Sequence, residues 1–225
     1  MPARNSLKTY IPNACYHIYN RGVEKRIIFL DNQDYSVLLS YLKEYLLPKN
    51  IRDLQQELMN PEFSGEKRDK ILKTIRMNNF ADNIDLYAFC LMPNHFHLLV
   101  KQSKSDSIDK FMNSLGTRYC IYFNKKYDRV GPLFQGVYKA VHVKREDYLL
   151  YLTRYIHFQA RKIGRKSTQP SSIEAYLGLS RSAWIKPEVI LSYFSKINPN
   201  LSYQNFMEQT ERRKSFDQIS SVLID

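Results

Sequence analysis

Between residues 84 and 100 the alternation of apolar and polar positions changes twice. Ile84, Leu86, Tyr87, Ala88, Phe89, Cys90, Leu91 and Met92 form a nearly continuous apolar run, Pro93-Asn94 interrupts it, and His95-Phe96-His97-Leu98-Leu99-Val100 resumes it. Two strands joined by a tight turn account for this pattern, because apolar runs of this length bounded by turn residues are strand signals. Upstream, Cys15-Tyr16-His17-Ile18-Tyr19-Asn20 alternates as a first strand and stops at Arg21-Gly22. Asp31 or Asn32 can cap a helix through about Leu47, with Tyr35, Leu38, Leu39, Leu42, Tyr45 and Leu46 at helical spacing and Pro48 as its stop. Downstream, Ser105 or Ser107 can start a second helix, on which Ile108, Phe111, Met112, Leu115, Tyr119 and Tyr122 recur at three and four, ending near Asn124. Residues 137–143 alternate as a fourth strand, and a long helix runs from Tyr148 to Ile163 before Gly164.

The order strand, helix, strand, strand, helix, strand, helix predicts an α+β protein on the ferredoxin-like βαββαβ plan. That plan implies an antiparallel sheet with helices on one face, here with an added C-terminal helix and helical extensions. Residues 1–12 read as an N-terminal arm, 13–166 as the main domain and 167–225 as a C-terminal helical extension. Residues 49–82 are charged and weakly helical around Pro61 and Gly65, which makes them a helical insertion. In the extension, a Ser/Gln/Pro-containing link leads to 172–177, 187–194 reads as a helix and 203–216 as a charged amphipathic stretch. No internal repeat or low-complexity tract is present.

Charge changes the picture by its position. The chain of 225 residues carries 34 Lys and Arg against 22 Asp and Glu, a net +12, which suits a polyanionic partner. Twelve of the basic residues and only three acidic ones lie between Thr117 and Lys166, just downstream of the histidine strand. Arg118, Lys125, Lys126, Arg129, Lys139 and Arg154 are the candidate phosphate contacts. Seventeen Tyr and twelve Phe are interleaved with these bases, which suits stacking on unpaired bases, although most of them can equally be core. Cys15, Cys90 and Cys120 show no Cys-x-x-Cys spacing and read as reduced thiols of an intracellular protein. No apolar run is long enough for a membrane span, so no membrane partner is expected and a cytoplasmic, nucleoid-associated location is.

The candidate chemistry starts from His95 and His97. Strand alternation puts both imidazoles on one face, with Phe96 and Leu98 opposite. Two such imidazoles can hold one metal ion, but a His-x-His pair alone more often marks a solvated strand face. His17 shares a face with Cys15 and Tyr19 and reads as a structural histidine, with a metal or DNA contact as the alternative. On the last helix Tyr155 and Gln159 are four apart and share a face, with Tyr151 one turn earlier. Spacing alone favours an ordinary amphipathic-helix tyrosine at Tyr155. Two imidazoles and an amide oxygen form a mixed set that fits Mg²⁺ or Mn²⁺ with open positions better than a closed Zn²⁺ site.

Three stretches together resemble the single-tyrosine HUH transposases of the IS200-like superfamily: Met92-Pro93-Asn94-His95-Phe96-His97, Gly131-Pro132-Leu133-Phe134-Gln135-Gly136-Val137-Tyr138-Lys139-Ala140 and Tyr155-Ile156-His157-Phe158-Gln159. More narrowly they are similar to the branch associated with repetitive extragenic palindromes. The resemblance spans about residues 10–165, with a weaker match at Ser171, Ser172 and on to Leu177. It implies that His95, His97 and Gln159 bind Mg²⁺ or Mn²⁺ and that Tyr155 is the nucleophile. It further implies an enzyme that cleaves and rejoins single-stranded, hairpin-flanked DNA through a 5′-phosphotyrosine intermediate, and a homodimer. That branch often has Asn where this chain has Gln159 and Pro where it has Ala160; both changes keep an amide oxygen available.

Three other readings stay open on the sequence. A replication-initiator or relaxase-like nickase uses the same metal and tyrosine chemistry with a different element order. A non-catalytic single-stranded nucleic-acid-binding protein would need only the basic and aromatic residues. A zinc hydrolase built on Cys90, His95 and His97 lacks the His-x-Glu and paired cysteines of nucleic-acid deaminases.

Overall fold

The computed structural model describes residues 10–161 and 169–208. Strands β1 (Cys15–Arg21), β2 (Ile84–Met92), β3 (His95–Gln102) and β4 (Lys139–Val143) form one sheet in the order β2-β3-β1-β4. Every neighbouring pair is antiparallel. Helices α1 (Asn32–Leu46) and α4 (Ser107–Lys126) supply the two crossovers, and α5 (Glu146–Arg161) follows β4. This is the expected ferredoxin-like α+β order, and the hairpin turns at Pro93-Asn94 as its sequence requires.

Each helix follows from local chemistry. Asp31 caps α1 through a reciprocal capping box with Asp34, whose carboxylate is fully buried. That carboxylate accepts hydrogen bonds from Tyr122 (2.9 Å), Tyr127 (2.8 Å) and Lys126 (2.8 Å), which ties the start of α1 to the end of α4. The expected serine cap of α4 is not used: Asp106 is the N-cap, and Ser107 is the first helical residue and is buried. The insertion forms α2 (Ile51–Leu58) and α3 (Gly65–Arg76), capped by Asn50 and Ser64. Lys49 Nζ donates to the Thr74 and Met77 carbonyls and so closes the C-terminal end of α3.

The helices cover both faces of the sheet, not one. On one face, Ile18, Leu86, Leu91, Leu98 and Val100 pack against Leu42 of α1 and Phe111, Leu115 and Tyr119 of α4. On the other, Ala88, Cys90 and Leu99 pack against Leu152, Tyr155 and Ile156 of α5. The C-terminal segment adds α6 (Ile173–Tyr176), α7 (Glu188–Leu191) and α8 (Tyr203–Glu208), which supply Tyr176, Ile190, Tyr203 and Phe206 to this second core. A single apolar stripe would serve a helix on an open sheet; a helix enclosed by sheet and extension buries residues on several sides. The described part of α5 ends before Ile163 and Gly164, and the expected continuation of α8 to residue 216 also lies outside the described residues. Tyr10, assigned by sequence to the arm, is buried, and its hydroxyl lies 2.9 Å from that of Tyr138.

Candidate active site

Strand pairing brings the chemically distinctive residues to one end of the second face. In β1 and β3, Tyr19 lies opposite His97 and Arg21 opposite His95. In β2, Cys90 lies opposite His97 and Met92 opposite His95. The His95 and His97 rings are 5.0 Å apart and perpendicular. Helix α5 crosses above them and sets the Tyr155 ring edge-on to His97 at 5.5 Å. One turn on, Gln159 is close enough to lower the pKa of the Tyr155 phenol. The two histidines, Tyr155 and Gln159 of the sequence reading therefore share one site. Tyr151 does not join them, since its ring lies against Phe206, 6.2 Å away.

The turn before β3 orients His95. Asn94 Nδ2 donates to the Lys25 carbonyl at 3.2 Å, so its Oδ1 is the atom 2.7 Å from His95 Nδ1. His95 therefore donates through Nδ1 and keeps its Nε2 lone pair. The Lys25 carbonyl is presented by a strained turn in which Glu24 and Lys25, neither of them glycine, have φ of 56° and 60°. Gly22 opens this turn, because a Cβ there would stand 2.2 Å from the Arg26 carbonyl oxygen. Gly22 N–H donates to the Asn94 carbonyl at 2.8 Å, which locks turn to hairpin.

Burial keeps these imidazoles neutral, the state a metal ligand needs. Desolvation lowers His95 to about 4, helped by the positive charge of Arg21. His97 is lowered well below the usual histidine value, by its own burial first and then by His17 and His95. His97 Nε2 is buried without a hydrogen-bond partner. A lone pair of this kind, beside a neutral His95 and an amide, fits a divalent cation. Among the described residues no cluster of three or more His, Cys, Asp or Glu side chains could hold a metal, so Gln159 would have to complete the set. Cys90 is a poor third ligand, since burial pushes its thiol up to about 12. Burial also pushes the Tyr155 phenol up to about 12, against the lowering effect of the neighbouring Gln159 amide.

The candidate phosphate contacts are dispersed by the fold. Arg118 lies on α4, behind the sheet, with its guanidinium 2.7 Å from Glu44 and 3.6 Å above the Tyr41 ring. Lys126, on the same helix, is held by Asp31 and Asp34, and Lys125 is exposed nearby. Arg129 donates to Asn124 at 3.0 Å. Arg154 is 4% exposed, with its guanidinium 5.4 Å from the Phe206 ring. Only Lys139 of this set adjoins the histidines: it is exposed on β4, pairs with Tyr19 and holds its ammonium 5.7 Å from that ring. Sequence reasoning overlooked Arg21, half-buried beside His95, and the orienting role of Asn94. The Pro93-Asn94 turn directly before a histidine was the available signal for the second.

Comparison with known proteins adds a family. The profile of the family described as "Transposase IS200 like" matches residues 55–159, a span that contains His95, His97, Tyr155 and Gln159. Two solved structures are similar. One is described as a REP-associated tyrosine transposase bound to a REP hairpin, at 11% identity and a TM-score of 0.49, with 82% of this chain and 98% of that one covered. The other, from Deinococcus radiodurans R1, is described as a transposase, at 15% identity and a TM-score of 0.35, with 71% of this chain and 98% of that one covered. No curated protein matches the chain.

Proposed function

Since the chain belongs, through residues 55–159, to the IS200-like transposase family, we propose that it cleaves and rejoins single-stranded, hairpin-flanked DNA with Tyr155 as nucleophile. The buried, unpartnered Nε2 of His97 beside the Tyr155 ring is the observation that carries this reading. His95, His97 and Gln159 would hold Mg²⁺ or Mn²⁺. Such an ion would offset charge on a non-bridging phosphate oxygen and favour the phenolate.

The protein's own residues account for the remaining steps. Tyr155 Oη attacks phosphorus, the bond from phosphorus to the 3′-oxygen breaks, and the departing oxygen takes up a proton as a 3′-hydroxyl. The 5′-phosphotyrosine keeps the energy of the phosphodiester, so a second 3′-hydroxyl can reverse the step on another strand. Gln159, one turn from Tyr155, lowers the pKa of the phenol. Tyr155 and His97 are 3% and 1% exposed, so the phosphate enters from the half-buried His95 and Arg21 side, and α5 has to give way there.

A denaturing gel with labelled hairpin DNA and Mn²⁺ tests this directly. Wild-type protein should form a covalent protein–DNA band, Tyr155→Phe should form none, and Tyr151→Phe should retain it. A band that survives in Tyr155→Phe would remove Tyr155 as nucleophile. Strong DNA binding with no band in wild type, with or without EDTA, would favour the non-catalytic binding reading.

A further inference from the structure

His17 stands behind the metal-ligand candidates and is absent from the reaction outlined above. It comes from β1, its nearest partner from β3 is 80 positions away in sequence, and it is fully buried. Its Nε2 lies 2.9 Å from Nδ1 of His97, with the two ring planes within 17° of parallel. That is the geometry of an in-plane N–H···N hydrogen bond.

We infer that His17 is a positioning residue: it accepts the Nδ1 proton of His97, and so holds His97 in the tautomer whose Nε2 lone pair can take a divalent cation. The assignment rests on the metal reading of the site.

Three observations support it. First, the pair has no rationale in stability. His17 Nδ1 and His97 Nε2 are both buried without hydrogen-bond partners, and apolar residues of similar volume would avoid that cost. Second, the same logic occurs twice in one site, since Asn94 Oδ1 receives the Nδ1 proton of His95. Both candidate ligands thus present Nε2, each through a neighbour that takes the other ring nitrogen, as metal-bound histidines generally require. Third, His17 is not placed to be a ligand through Nε2, because His97 occupies that atom.

Mn²⁺ titration of the full chain by calorimetry tests the assignment without relying on DNA cleavage. His17→Phe keeps the ring volume but cannot accept a proton, and it should weaken Mn²⁺ binding by roughly 10- to 100-fold. His17→Gln offers Oε1 in place of Nε2 and should stay within a few-fold of wild type. Long-range ¹H–¹⁵N spectra of metal-free wild type, which need no variant to fold, should show His97 protonated at Nδ1. A His97 protonated at Nε2, or Mn²⁺ binding unchanged in a folded His17→Phe, overturns the role of His17 while leaving the metal reading intact. Wild type that binds no Mn²⁺ overturns both.

Discussion

His157 on α5 and Ser172 after it are joined at 2.7 Å between Nε2 and Oγ. The Ser172 hydroxyl also accepts the Phe89 N–H of β2 at 2.9 Å, and the other ring nitrogen of His157 lies 2.7 Å from the Tyr203 hydroxyl. All three side chains are buried, so this serine–histidine contact works as a latch between sheet, α5 and the C-terminal segment. Ser172→Ala would leave the Phe89 N–H and His157 Nε2 without that partner, and should cost about 1–3 kcal/mol. Urea denaturation reads the loss; an unchanged midpoint would show that the latch contributes no stability.

Acid should destabilise the metal-free protein through His17, whose pKa burial lowers to about 3. The unfolded chain binds a proton near pH 6.5 that the folded chain refuses, so stability is fully present above that value and falls as pH drops toward 3. Between pH 7.5 and 5 this one group should remove about 2 kcal/mol from wild type and nothing from His17→Phe. Parallel urea curves in EDTA at both pH values should therefore show wild type losing stability relative to His17→Phe in acid. A constant difference between the two would mean that His17 does not carry this dependence.

Gly116 lies within α4, where an added Cβ meets no atom within 4 Å. It borders a small apolar cavity lined by Leu38, Leu42, Phe96, Leu98, Met112, Leu115, Tyr119 and Phe134. Gly116→Ala gains helix propensity and meets no clash, so it should stabilise the protein by about 0.5–1 kcal/mol. Thermal melting that shows a lower midpoint would mean the helix needs the glycine for another reason.

Lys139 and Lys126 should separate in DNA binding. Lys139 is exposed beside Tyr19 and the histidines, whereas Lys126 is held by Asp31 and Asp34 behind the sheet. Lys139→Ala should weaken binding of a hairpin oligonucleotide and reduce the slope of log affinity against log salt by about one. Lys126→Ala should lower the melting temperature and leave that slope unchanged. The reverse result would move the DNA track to the α4 side of the sheet.

What the sequence determined by itself is local. Two-residue alternation sets His95 and His97 on one face of β3, and a four-residue interval aligns Tyr155 with Gln159 on α5, because both depend only on backbone geometry within one element. Pro93-Asn94 marks the hairpin and Asp31 the start of α1 for the same reason. The tertiary structure decided what crosses between elements. Pairing of β1 with β3 puts Tyr19 opposite His97 and so carries the neighbouring His17 to within 2.9 Å of it, a contact that no periodicity inside either strand encodes. The layering sends Arg118 and Lys126 to the far face and leaves only Lys139 of the expected phosphate contacts by the site. It also buries Thr153, Arg154, His157 and Gln159 on α5, where an amphipathic pattern predicts solvent on one side. Arg154 and His157 are covered because the C-terminal segment packs on them through Phe206, Tyr203 and Tyr176, and long-range packing of that kind is set by the whole chain and by no stretch of it.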